Sequence, residues 1–129
     1  MNTIDVVLVE PGKKARIAEI GTELEDMQEF VGGSIEVFYP FEEQVCIVCN
    51  DEGKFNGSRP NRAIYDEDDK MVEIIFGKFF ICDCSGENFG SLSGEQLQRY
   101  KEQFLMPEHF FKVGGEIQAV KFDPDRESR

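Results

Sequence analysis

Between Val31 and Ala63 two short runs of strand character stand either side of a break, and a polar loop follows them. Ser34-Ile35-Glu36-Val37-Phe38-Tyr39 alternates with a period of two and stops at Pro40, which has no N–H for a ladder. Gln44 to Asn50 is apolar almost throughout, the pattern of a strand covered on both faces. Such a strand belongs in the middle of a sheet, so the core and any site are expected to meet around it. Asp51-Glu52-Gly53 supplies the turn out of it. The loop from Lys54 to Asn61 contains Gly57 and Pro60 and shows little periodicity.

The flanking sequence supplies more strands and two helices. Ile4 to Glu10 is β-branched and ends at the turn pair Pro11-Gly12; Lys13 to Ile20 alternates in the manner of an edge strand and ends at Gly21. Thr22-Glu23-Leu24-Glu25 has the spacing of a capping box, with Thr22 as N-cap. Leu24, Met27 and Val31 then fall on one helical face, and Gly32 stands where a left-handed C-cap is needed. Met71 to Ile75 and Lys78 to Cys84 read as strands, with Gly77 at a bend. Ser93-Gly94-Glu95-Gln96 repeats the capping pattern, Leu97, Tyr100 and Phe104 share a face, and Pro107 prevents a long continuation. Glu108 to Phe111 reads as irregular, and Glu116 to Phe122 as a last strand.

The expected fold is therefore α+β: one domain over residues 1–122. Its mainly antiparallel sheet has about six or seven strands, with two short helices packed on it. Residues 123–129 read as a frayed polar tail.

The 129 residues, 40% apolar with twelve Phe, suffice for a core. No apolar run reaches the ~20 residues of a membrane helix. The N-terminal Met1-Asn2-Thr3-Ile4-Asp5 lacks the basic flank and cleavage site of a signal peptide. A reducing cytoplasm is the expected compartment, with the four cysteines as thiols. The net charge is −12, and from Ile17 to Gly53 there are ten acids and no Lys or Arg. That span repels nucleic-acid phosphates and suits a basic protein partner; it equally serves as a solubilising face.

Candidate chemistry is sparse. Cys46-Ile47-Val48-Cys49 and Cys82-Asp83-Cys84 have spacings seen in zinc sites, but Ile47-Val48 belong to a strand, where Cys46 and Cys49 point to opposite faces. No metal or cofactor is expected. His109 has no partner motif that would make it a general base, and no catalytic residue is assigned. The candidate ligand-binding residues are Asn50, Lys54, Arg59, Asn61 and Arg62, with Asn56 among them in the loop. Lys54 to Arg62 carries three cations and no acid, Arg forks onto carboxylate or phosphate, and Asn both donates and accepts. The same residues also fit turn formation and pairing with the chain's own carboxylates. Within the set, Asn61 is expected to close the turn after Pro60, and Arg62 to reach solvent or meet an anion.

Val9-Glu10-Pro11-Gly12, Val31 to Glu36, Asn50 to Lys54, Pro60-Asn61-Arg62-Ala63, Gly77-Lys78-Phe79 and Phe89 to Leu92, in that order and spacing, carry a resemblance. The chain resembles domain-of-unknown-function family 3846, small domains of tailed phages and of Firmicutes mobile elements. The resemblance implies no established activity, only an accessory role in a mobile element. The expected function is a non-catalytic interaction or small-ligand-binding protein of such origin. The alternative is a small enzyme acting on a nucleotide or similar anion, with Arg59 and Arg62 holding the substrate.

Overall fold

A computed structural model describes residues 2–54 and 56–126. Its centre is a five-stranded antiparallel sheet of β1 (Thr3–Val9), β2 (Arg16–Gly21), β3 (Ile35–Phe38), β4 (Val45–Asn50) and β7 (Phe79–Asp83), in the order β2-β1-β7-β4-β3. The apolar run from Val45 is buried at every position, and Phe79 to Cys82 likewise, because both strands are interior and covered on each side. Alternation then sorts the side chains. Ile4, Val6 and Leu8 of β1 join Cys46, Val48, Phe80 and Cys82 on one face, while Val7 and Val9 join Val45, Ile47, Phe79 and Ile81 on the other.

Each face has its own cover. Helix α1 (Leu24–Val31) lays Met27 and Val31 on the first face. Helix α2 (Gly94–Gln103) lays Tyr100 on the second, with Phe104 just beyond its end, and beside them packs a hairpin of β5 (Pro60–Tyr65) and β6 (Met71–Phe76). Phe79 meets Phe104 edge-on at 6.0 Å. A buried Phe of this kind contributes about 2–3 kcal/mol through area removed from water. A second hairpin, β8 (Glu108–Val113) and β9 (Glu116–Lys121), turns through Gly114 and Gly115, both at positive φ. Among the described residues no helix is long and apolar enough to cross a membrane.

The α+β class, antiparallel pairing and two helices match expectation, and the nine strands exceed it slightly. The additions are β5 and β8. The buried polar residues of β5 hide its alternation, and β8 buries no residue fully, with only Glu108 and Phe110 partly covered, so neither carries the usual signal. The first helix starts one residue late: Glu23 is the N-cap, and Asp26 Oδ2 accepts its amide at 3.3 Å. Leu24 consequently stays exposed. Gly32 does adopt the left-handed C-cap, φ 85°, and Ser93 with Gln96 forms the second capping box. Of the expected tail, 124–126 form one 3-10 turn and Lys14 Nζ pairs with Asp123 and Asp125 at 3.5 and 3.0 Å. Residues 127–129 lie outside the described residues.

Candidate functional site

The five candidate ligand residues do not converge. Asn61 and Arg62 are buried, 1% and 0% exposed, because the β5–β6 register slips between Pro60 and Arg62. The slip leaves Asn61 as the extra residue of a bulge, so two consecutive side chains can both enter the interior. Asn61 Nδ2 donates to Val9 O at 3.0 Å and Gly77 O at 2.8 Å, and Asn61 Oδ1 accepts from Arg62 Nη1 at 2.7 Å. Arg62 Nε donates to Phe104 O at 3.0 Å, and Nη2 to Lys13 O at 2.8 Å and Leu105 O at 3.4 Å.

The expectation that Arg62 reaches solvent or meets an anion gives way to backbone carbonyls, which accept its donors without a ligand. Burial draws its pKa down to about 10, against the opposing charge of Glu108. Burial in turn raises the Glu108 carboxyl, and the Ala63 amide that donates to it at 3.0 Å and the Arg62 charge work the other way. This pair joins β5, the end of α2, the β1–β2 turn and the start of β8. It is a structural junction.

Asn50 is also structural. Its Nδ2 donates to Val31 O at 3.1 Å, satisfying a carbonyl of the last turn of α1, and its Oδ1 accepts the Glu52 amide at 2.7 Å. A Cβ at Gly33 would lie 2.9 Å from that Nδ2, so the close approach requires glycine. Lys54 pairs with Glu73 at 2.8 Å beside Asn50, and Asn56 Oδ1 closes its own turn by accepting from the Ser58 amide and hydroxyl. Cys46 and Cys49 do face opposite sides of the sheet, in separate core clusters.

Asn50 and Lys54 share a small cleft of about 250 Å³ with the acids Glu36, Asp51 and Glu73, whereas Arg59 lies in a separate open cleft. Its guanidinium lies over Gly12, where a Cβ would come within 3.3 Å of Nη2. Gly12 has φ 76°, so the turn that provides this shelf also favours glycine. Beside it Glu10, with a side chain 12% exposed, gathers three cations: Arg16 Nη1 at 2.6 Å, Lys78 Nζ at 3.8 Å and Lys13 Nζ at 3.9 Å. Burial pushes the Glu10 carboxyl up, but the Arg16 hydrogen bond and the three positive charges outweigh it and hold the pKa below the ordinary 4.5. Among the described residues Arg59 forms no salt bridge. The cleft encloses about 390 Å³, with Pro11 and Phe30 as apolar wall, Glu29 on the rim, and Gly77 at the base, where the Gly77 amide donates to Arg59 O at 2.8 Å. Sequence reasoning missed Glu10, Lys13 and Lys78 as companions of Arg59. Acid and base interspersed on different strands leave no local signal.

The fold and cleft define a small α+β domain with an interior polar junction beneath a cation-lined surface cleft. The chain belongs to the domain of unknown function family DUF3846, whose model matches residues 3–105. No curated protein and no solved structure matches the chain significantly. The β8–β9 hairpin lies beyond the matched residues. Stretches that carry the resemblance meet at this cleft: Glu10 and Pro11, Val31 and Gly32, and Gly77 and Lys78 line it, and Asn61 ties Val9 to Gly77 beneath it.

Proposed function

We propose that the protein is a non-catalytic cytoplasmic accessory protein of phage or mobile-element origin, which binds a small ligand by an anionic group at the Glu10–Arg59 cleft. One observation carries this reading: the Arg59 guanidinium is laid on the Gly12 shelf beside Lys13 and Lys78, with no carboxylate of the described chain paired to it. A guanidinium and an ammonium set side by side recognise a carboxylate or phosphate, the guanidinium by two parallel hydrogen bonds. Glu10 stays ionised and spreads its charge over three cations, so it serves as their anchor and not as a proton donor. That favours binding over the alternative of an enzyme on a nucleotide or similar anion, which needs an acid or base poised near neutrality.

The test is a thermal-shift and chemical-shift titration with inorganic phosphate, dicarboxylates and nucleotides, on wild type and Arg59→Ala. Arg59 is exposed, so the variant should melt with wild type and lose stabilisation by the anion. Unchanged anion binding in Arg59→Ala overturns the reading, as does a wild type that no anion perturbs.

A second reading concerns the outer face of α1. Glu23, Glu25 and Glu29 are exposed there, and no basic residue stands in the last turn. This face suits a basic protein partner drawn in by long-range charge.

A further inference from the structure

We propose that the occupant of the Glu10–Arg59 cleft is an organic anion with one charged head and a compact apolar body, the head on Arg59 and Lys78 and the body on Phe30. This rests on the binding role proposed above and adds the class of ligand. The cleft volume of about 390 Å³ falls within the roughly 300–1,000 Å³ of small-molecule sites. A liquid water takes about 30 Å³, so a bare inorganic anion of a few heavy atoms fills a minor part of that space. The remaining space has room for a body, and the walls define its chemistry.

Phe30, in the last turn of α1, is half-buried: it packs edge-to-face on Phe80 at 6.1 Å and presents its remaining surface to the cleft beside Pro11. Lys78 Nζ stands 5.6 Å from the Phe30 ring centroid while reaching Glu10 Oε2 at 3.8 Å. The ammonium thus marks the border between the apolar wall and the cationic end. An apolar group covering Phe30 removes water from Lys78, and the attraction of Lys78 for the neighbouring head grows as the local dielectric falls. Glu29, on the rim at the α1 side, repels a second negative charge there. A ligand charged at both ends is disfavoured; one charged at the Arg59 end and neutral over Phe30 satisfies both walls.

The test compares inorganic phosphate with phenyl phosphate by chemical-shift titration of the wild-type chain. Phenyl phosphate should bind about tenfold tighter, the gain of one aromatic contact, and should shift the amides of Phe30, Arg59 and Gly77. Phe30→Gln should bring the two affinities together, and Phe30→Leu, which keeps an apolar side chain on Phe80, should retain most of the difference. Equal affinities in wild type overturn this inference and leave the anion-binding role standing. Silence of the cleft amides toward both probes overturns both. Tighter binding of phenyl phosphate that maps onto the separate groove at Leu24 and Phe89 also overturns it. Should Phe30→Gln fail to fold, the wild-type ratio and Phe30→Leu decide.

Discussion

Asn61 Oδ1 accepts a hydrogen bond from Arg62 Nη1 at 2.7 Å, between neighbours in the chain that are both buried. Adjacent residues of a regular strand point to opposite faces, so this contact depends on the bulge that sets Asn61 out of register. The pair turns a β-strand into a tie between four other segments. Among the described residues no buried side-chain polar atom lacks a partner, which is the condition for placing such a group in a core.

Asn61→Ala should destabilise the domain by about 3 kcal/mol, since it strands two carbonyls and an arginine N–H in the interior. Arg62→Ala should cost about 4 kcal/mol, because the buried carbonyls it serves lose their donor and Glu108 loses one of the two positive charges that act on it. Arg62→Lys should recover little, as one ammonium cannot span acceptors spread around a planar fork. Urea unfolding of the three variants measures this. An Arg62→Ala that melts with wild type would show that the junction is dispensable.

Acid titration of stability should reveal two carboxyls of opposite sign. The folded-state pKa of Glu10 is below the ordinary 4.5, so its contribution is present above that pH and is lost as pH falls through the folded value. The folded-state pKa of Glu108 is raised above 4.5, so its contribution is present below 4.5 and is lost as pH rises through the folded value. Glu10→Gln should flatten the fall on the acid side, and Glu108→Gln should remove the opposing trend. Urea midpoints across the acid range test both, and slopes unaltered by either substitution would contradict these environments.

Truncation should separate the hairpin from its first residue. Ending the chain after Pro107 removes Glu108, which accepts the Ala63 amide and faces Arg62, together with a hairpin that is largely exposed. Glu108→Ala in the full chain should therefore reproduce most of the loss in melting temperature. A full-length Glu108→Ala that melts with wild type, against a truncated chain that unfolds, would assign the stability to the hairpin.

On α1 the acids should divide by position. Glu25 and Glu29 are exposed and their reversal to Lys should leave melting little changed while slowing association with a basic partner at low salt. Asp26 accepts the Glu23 amide at the cap, so Asp26→Ala should cost about 1 kcal/mol. Equal effects from all three positions would show that the cap contributes nothing.

The sequence by itself determined the elements whose signals are local. Seven strand runs, the Ser93 cap, the Gly32 stop and the opposed faces of Cys46 and Cys49 follow from spacings of two to four residues. The first cap was displaced by one residue because Glu23 with Asp26 competes with Thr22 with Glu25 at the same spacing. Only the tertiary structure decided where the polar residues of the Lys54–Arg62 stretch go. A bulge turned Asn61 and Arg62 inward, whereas Arg59, three residues before Arg62 in sequence, stayed at the surface. The cleft itself assembles Glu10, Phe30, Arg59 and Lys78, brought from the ends of different elements. Their mutual distances depend on how the sheet order folds those ends together, a long-range property that no short window of sequence contains.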